Sequence, residues 1–246
     1  MTHRILVTGA RRGIGAALAT GLAQPDRTLL LHHLAAPDEV AQVARQCRER
    51  GAEVRTLEAD LSDPGAVRDL AVHAGPVDVL VNNAARASNV DIRGLELGEW
   101  QATFAVNVTA PMLLAQAFAA GMAERGWGRI VNITSATVRL GGPSGPSYVS
   151  SKAALVGLTR SLARALGRSG ITVNAISPGA IQTQGEVELA GGREDPEAVA
   201  RTLAAQAVPR RLVPDDLVAA VRFLVSDGAA ATTGQVIEVG GGLVHR

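Results

Sequence analysis

The chain has few of the residues that usually carry covalent or metal chemistry. A single cysteine, Cys47, stands among 246 residues. That excludes an intramolecular disulfide and a cysteine-rich zinc site, and no metal is expected. Aromatic residues make up only 2%. No run of 18 apolar residues occurs, so no membrane span is expected. The opening MTHRILVTGARRGIG holds too short an apolar run for a secretory signal. Neither sign of charge dominates: 24 basic residues meet 23 acidic ones, for a net charge of +1. That balance leaves no electrostatic footprint for nucleic acid, and no basic run suggests a membrane surface. These absences predict a soluble, cytoplasmic protein.

What is present points to a packed core. Apolar residues reach 47% and charged residues 19%, a balance that argues against disorder. The length suits one large α/β domain over residues 1–246. Nearly all basic residues are arginine. The sole lysine, Lys152, follows the sole tyrosine, Tyr148, by four positions, which puts both side chains on one face of a helix. Short apolar segments predict strands near 4–8, 28–32, 53–58, 77–81, 129–134, 172–176 and 235–239. Several are continuously apolar, as in Ile5-Leu6-Val7 and Val79-Leu80-Val81, which fits a parallel sheet covered on both faces. Between them, apolar residues recur at helical spacing over 14–23, 39–50, 66–74, 100–125, 148–166 and 215–224. The alternation predicts a Rossmann-like, doubly wound parallel sheet of about seven strands with helices on both faces. One stretch, 182–209, breaks the rhythm with extra charge and glycine. It leaves the C-terminal end of a strand, where ligands bind in open α/β sheets, and is read as a substrate lid. The plainer alternative is a surface excursion with no direct role.

The turn Thr8-Gly9-Ala10-Arg11-Arg12-Gly13-Ile14-Gly15 lies between the first strand and the first helix. Glycines there let the backbone approach a pyrophosphate, and the helix N-terminus offers N–H donors and partial positive charge. Its spacing is G-x-x-x-G-x-G rather than G-x-G-x-x-G, so its place between strand and helix carries the reading. The second strand ends Leu31-His32-His33-Leu34, with no carboxylate before Asp38. A carboxylate there would suit NAD, whereas Arg11 and Arg12 suit a 2′-phosphate. NADP(H) is therefore the expected cofactor. The alternative is that both arginines are merely solvated, and His33 either adds a contact or is structural.

With those residues in view, the chain resembles the single-domain short-chain dehydrogenases/reductases. The glycine turn, Asp60, the run Asn82-Asn83-Ala84-Ala85, Asn107, Ser135, the Tyr148–Lys152 pair and Pro178-Gly179 fall in that family's order along the whole chain. The resemblance implies that Tyr148 is the general acid of carbonyl reduction and the base of alcohol oxidation. Ser135 would bond the substrate oxygen, with Thr134 the weaker competitor. Lys152 would lower the phenol pKa through its charge while holding the nicotinamide ribose. Asn107 would hold a water behind the lysine, or else serve as a structural amide. For the cofactor, the resemblance implies Gly9, Gly13, Ile14 and Gly15 at the pyrophosphate. Asp60 and Leu61 would sit at adenine, Asn82 near the adenosine ribose, and Ala84 and Ala85 along the cleft. Pro178, Gly179, Ile181 and Thr183 would flank the nicotinamide. Ala85 replaces the glycine usual in the family.

Within the family the chain looks most similar to 3-oxoacyl-[acyl-carrier-protein] reductases, which implies an acidic acyl carrier protein as partner. Arg125, Arg129, Arg164 and Arg168 are candidates for a basic docking rim, or are plain helix-end cations. Specificity would come from residues 86–97, 138–147 and 182–209. The alternatives are a reductase or dehydrogenase of a free ketone or alcohol, and a non-catalytic NADP-binding regulator. Relatives of this kind are commonly homotetramers.

Overall fold

The computed structural model describes residues 3–189, 192 and 195–244. The strands are β1 (His3–Val7), β2 (Arg27–His33), β3 (Glu53–Glu58), β4 (Val79–Asn82), β5 (Gly128–Ile133), β6 (Ile171–Pro178) and β7 (Val236–Val239). They form one sheet in the order β3-β2-β1-β4-β5-β6-β7. Every neighbouring pair is parallel. The helices α1 (Gly13–Leu22), α2 (Pro37–Glu49), α3 (Pro64–Ala74), α4 (Leu97–Phe104), α5 (Ala110–Glu124), α6 (Thr137–Leu140) and α7 (Pro146–Leu166) precede α8 (Gln184–Leu189), α9 (Pro196–Ala205) and α10 (Val218–Leu224).

Residue parity along the strands builds the two cores. Ile5, Val7, Leu29, Leu31, Val79, Val81, Val131 and Ile133 enter one buried cluster, whose helical contributors include Leu18 and Leu22 of α1, Val40 and Val43 of α2, and Val221 and Leu224 of α10. The intervening Leu6, Leu30, Leu80 and Ile130 enter the other cluster, with Val67 and Leu70 of α3 and Leu114, Phe118 and Met122 of α5. Successive strand side chains point to opposite faces, so a continuously apolar strand feeds both layers at once. Each fully buried leucine or isoleucine contributes about 1.5–3 kcal/mol.

Two elements differ from the sequence expectation. The helix expected over 100–125 is interrupted by a π turn at Ala105–Thr109, with Asn107 at its centre. Pro111 lacks the N–H that the Asn107 carbonyl would otherwise accept four residues on, so the regular ladder cannot continue there. The run Leu97–Glu124 is long and apolar enough to cross a membrane by length and composition alone. Here it lies on the sheet, with Ala110, Leu114, Phe118 and Met122 buried. The second difference concerns the 182–209 excursion, which is not an open loop but carries α8 and α9. Its ends are fixed by a bridge from Ile181 to Leu212 and by Ala207 and Val208, whose N–H groups donate to Gly241 O at 2.9 Å. Residues 190, 191, 193 and 194 of the excursion lie outside the described residues.

Because all seven strands run the same way, their C-terminal ends share one edge. The glycine turn follows β1, Asp60 follows β3, Asn83 follows β4 and Ser135 follows β5. The chain folds outward in opposite directions from β1 and β4, which are neighbours in the sheet. A crevice opens where the strand order reverses in this way.

Candidate active site

That crevice is a cleft of about 600 Å³. Its lining includes Gly9, Arg11, Arg12, Gly13, Ile14 and Gly15 from the turn, His32, His33 and Leu34 after β2, and Asp60 and Leu61 after β3. Ala84, Ala85 and Arg86 line it after β4, Ala102 and Val106 from the interrupted helix, and Thr183 and Gly185 from the excursion.

The glycine turn is held so that its floor is bare backbone. Gly9 has φ +66°, and a Cβ there would come within 2.9 Å of Ala84 Cα. A Cβ on Gly15 would collide with Gly9 O and lie 2.6 Å from Asn83 Nδ2. A side chain at either position would collide with the turn itself or with the segment after β4, so only glycine lets this backbone close up in the form a pyrophosphate cradle requires. Helix α1 begins with no side-chain cap on its first turn, which leaves N–H donors facing the cleft. Thr8 joins the two sides of the crevice: its Oγ1 accepts from Asn83 N at 2.9 Å and from Ala84 N at 3.0 Å. Asn83 Nδ2 donates to Thr8 O at 2.9 Å and to Gly9 O at 3.1 Å. The residues present thus fit a dinucleotide.

The half of the cleft beyond β2 and β3 is organised around Asp60. Asp60 Oδ1 accepts from Ser62 N at 2.8 Å and from Ser62 Oγ at 2.7 Å, and these bonds hold its carboxyl below the usual range. His33 is buried, and its Nδ1 accepts from Ala36 N at 3.3 Å. Arg11 pairs with Glu39 of α2 at 3.3 Å, with both partners partly exposed. This arginine is therefore shared between a surface carboxylate and the cleft. Asn82 departs from its expected place. It is buried, pairs with Asn132 in the sheet register, and donates through Nδ2 to Asn132 Oδ1 at 2.8 Å. Asn132 passes the connection to Thr159 of α7 at 2.9 Å. Asn83, one residue beyond the strand, lines the cleft instead.

Ser135 leaves β5 at the same strand edge, and Tyr148 and Lys152 stand in the first turns of α7; none of the three lines the 600 Å³ cleft itself. Ser135 hydrogen-bonds Tyr148. Ser135 Oγ also accepts from Thr137 N at 3.2 Å and lies 2.9 Å from Thr137 Oγ1. Thr134, its competitor, is buried and spends its hydroxyl on Ile176 O at 2.9 Å. Lys152 Nζ lies 5.7 Å from the Tyr148 ring centre and donates to Ile133 O at 2.7 Å. The expected depression of the phenol is not what this geometry gives. Burial pushes the Tyr148 pKa above its ordinary value, and only the Ser135 bond opposes it. Burial also pushes Lys152 down to about 8. Desolvation penalises both charged forms, and the ammonium is aimed at a backbone carbonyl rather than at the phenol.

Asn107 connects the two halves. Its Oδ1 accepts from Arg86 N at 2.8 Å, and its Nδ2 donates to Arg86 O at 3.1 Å and to Ser151 Oγ at 2.9 Å. Ser151 Oγ then donates to Tyr148 O at 2.7 Å. The amide's donors are therefore spent on protein groups. Pro178 ends β6, Gly179 N donates to Val239 O at 3.1 Å, and Ile181 is buried. None of these three lines the main cleft, whereas Thr183 does, with its Cγ2 3.6 Å from where a Cβ on Gly13 would stand. His32, Leu34, Asn83, Arg86, Ala102 and Val106 also line the cleft, although the sequence assigns none of them a cofactor role. Asn83 stands in the motif after β4 and Arg86 opens a segment expected to set specificity, whereas Ala102 and Val106 carry no signal.

The arginines expected at a docking rim are elsewhere. Arg129 is buried near the start of β5, bonded to Gly128 O and Ser226 O and stacked over Trp127. Arg125 ends α5 and pairs with Asp78 at 2.9 Å. Arg164 and Arg168 follow α7 away from its start at Tyr148. All four therefore belong to the sheet edge opposite the cleft.

Comparison with known proteins places this geometry. The chain matches the short chain dehydrogenase family over residues 3–193. It is 37% identical over 243 residues to a probable galactose dehydrogenase of Rhizobium meliloti (strain 1021), covering 97% of this chain and 94% of the relative. It is 32% identical over 244 residues to a 3-oxoacyl-[acyl-carrier-protein] reductase of Synechocystis, covering 97% and 96%. The crystal structure of a 3-oxoacyl (acyl-carrier-protein) reductase from Agrobacterium tumefaciens C58 with NADP bound superposes with a TM-score of 0.90 at 32% identity. That alignment covers 98% of this chain and 93% of the other.

Proposed function

The chain belongs to the short chain dehydrogenase family, and from that membership we propose that it is an NADP(H)-dependent oxidoreductase interconverting a ketone and a secondary alcohol. The observation that carries the reading is the contact set of Ser135, Tyr148 and Lys152 at the strand edge that also bears the glycine cradle. Bound NADPH supplies the hydride. Gly9, Gly13, Ile14 and Gly15 hold its pyrophosphate, and Arg11, Arg12 and His33 serve its 2′-phosphate end. Asp60, Leu61, Ala84 and Ala85, which line the cleft, would hold the cofactor's adenosine half, and Thr183 would stand at its nicotinamide end. Ser135 orients the substrate oxygen, and Tyr148 delivers the proton to it. A phenol held protonated by burial keeps that donor loaded at neutral pH, which suits reduction. The phenolate left on Tyr148 is offset by the Lys152 ammonium, 5.7 Å from the ring centre, until a proton from solvent restores the phenol, and Asn107 positions Tyr148 through Ser151.

The substrate class is a 3-oxoacyl thioester, presented on an acyl carrier protein, with the excursion at 182–209 acting as a lid over one domain of residues 1–246. The chain works as a homotetramer in the cytoplasm. Similarity to a 3-oxoacyl-[acyl-carrier-protein] reductase over nearly the whole chain supports the acyl reading. A second reading, a free polyhydroxylated substrate, is favoured by the relative described as a galactose dehydrogenase and by the four arginines lying away from the cleft. The test follows NADPH absorbance with a 3-oxoacyl thioester on carrier protein, its short free mimic, and a set of sugars and sugar acids. Faster loss with the carrier supports the first reading. Turnover of sugars alone replaces it with the second.

A further inference from the structure

His32 stands at the one place where three elements of the cofactor cleft meet, and nothing in the catalytic scheme uses it. Its ring is buried, with 2% of the residue exposed. Nδ1 lies 3.1 Å from Gly9 N, and Nε2 lies 3.1 Å from Ala59 O. The partners fix the tautomer: an amide N–H can only donate and a carbonyl can only accept. The ring is therefore neutral, with its proton on Nε2. The main chain of the same residue adds a second tie, since His32 O accepts from Ala10 N at 2.9 Å. One residue thus fastens the first two peptides of the glycine turn to β2, and its ring carries the tie on to Ala59, the neighbour of Asp60.

We propose that His32 is a positioning residue for the dinucleotide: as a neutral imidazole it sets the Gly9 peptide against the Asp60 segment, and protonation releases the turn. A proton on Nδ1 would face the Gly9 N–H, so the acceptor is lost and two donors oppose each other. The charged and titratable groups around the ring are His33 on the same strand, Asp60 beyond β3, and Arg11 and Arg12 of the turn. Of these only Asp60 favours a charged imidazole. Burial outweighs it and holds His32 down to about 4, so the tie is intact at neutral pH and fails in acid. The inference rests on the cofactor reading above and deepens it.

Two variants separate the roles. His32→Asn keeps an acceptor oxygen near the position of Nδ1 and cannot titrate, whereas His32→Leu removes the acceptor. Dissociation constants are measured by calorimetry from pH 7.5 down to 3.5, with acid-stable NADP+ as the ligand below pH 5 and NADPH above it, alongside kcat at neutral pH, and the ring of the free wild-type protein is followed by 15N NMR. The expected results are an Nε2–H tautomer that stays neutral below pH 5, and a dissociation constant raised about tenfold in His32→Leu with kcat within about twofold. His32→Asn should restore most of the affinity. The cofactor's own 2′-phosphate titrates near about pH 6. His32→Asn carries that component alone, so the wild type should lose additional affinity in acid. An Nδ1–H tautomer, unchanged affinity in His32→Leu, or the same acid loss in His32→Asn as in wild type overturns the proposal. If His32→Leu does not fold, the NMR tautomer and the His32→Asn profile still decide. Wild-type protein that binds no NADPH at neutral pH overturns the cofactor reading itself, and the proposal with it.

Discussion

At the scale of single residues, burial governs the reactive pair. Tyr148 keeps its proton above its ordinary range because the phenolate would be desolvated. Alcohol oxidation, which needs the phenolate, should therefore accelerate as pH rises through about 8 to 10, while ketone reduction stays level or falls. Opposite slopes in the two directions are expected, and parallel ones would contradict the role given to Tyr148. Tyr148→Phe should lower turnover by about 10³-fold with NADPH binding retained, as read by paired rate and fluorescence titrations. Lys152 makes a prediction about stability. Its ordinary pKa of 10.5 falls to about 8 in the folded chain, so between those values unfolding takes up a proton. Raising the pH through that window then favours the folded state, and the cost of the buried charge is fully present below about 8. Lys152→Met should remove that dependence and raise unfolding free energy at pH 7 by on the order of 2 kcal/mol, while eliminating turnover. Denaturant melts of the cofactor-free protein across that range check it.

At the scale of elements, the crevice between β1 and β4 is stitched by one hydroxyl. Thr8 Oγ1 accepts two backbone N–H groups from the opposite side. Thr8→Val preserves shape but leaves both donors unpaired, which should cost about 2 kcal/mol and weaken NADPH binding; thermal melts and titration read the two effects. The π turn at Ala105–Thr109 acts similarly across the cleft, because it lets Asn107 reach Arg86 on one side and Ser151 on the other. The glycine turn and the Tyr148–Lys152 spacing were legible in the sequence because each depends on local geometry, whereas Asp60 was marked only by the resemblance to the short-chain family. The π turn was less so: Pro111 marked a break, but which amide the break would present depends on packing against α7. Asn82 shows the same limit. Its place at a strand end was readable, yet only the register with Asn132 turns its side chain into the sheet and leaves Asn83 to the cleft.

At the scale of the whole molecule, the parallel sheet sorts function to one edge. The four arginines considered for carrier docking lie towards the other, and Arg129 is buried with its guanidinium over the Trp127 ring. Charge reversal at Arg164 and Arg168 should thus leave kcat/KM on a carrier-borne substrate within about twofold, since a contact remote from the cleft changes neither encounter nor chemistry there. A large loss would instead place the carrier's docking surface at the C-terminal end of α7. Multi-angle scattering of the purified protein checks the tetramer: four copies of the 25.3 kDa chain are expected, and a monomer would remove that part of the proposal.

The sequence by itself determined the alternation of strands and helices, the two-faced sheet, the glycine cradle and the single tyrosine–lysine pair. Each is written in periodicity or spacing, and the backbone reads such signals locally. The tertiary structure alone decided which groups are desolvated, which arginines reach the cleft, and what His32 and Asn107 hold. Those outcomes depend on residues far apart in the chain meeting in a low-dielectric interior, where burial and partner choice override what an isolated side chain would do.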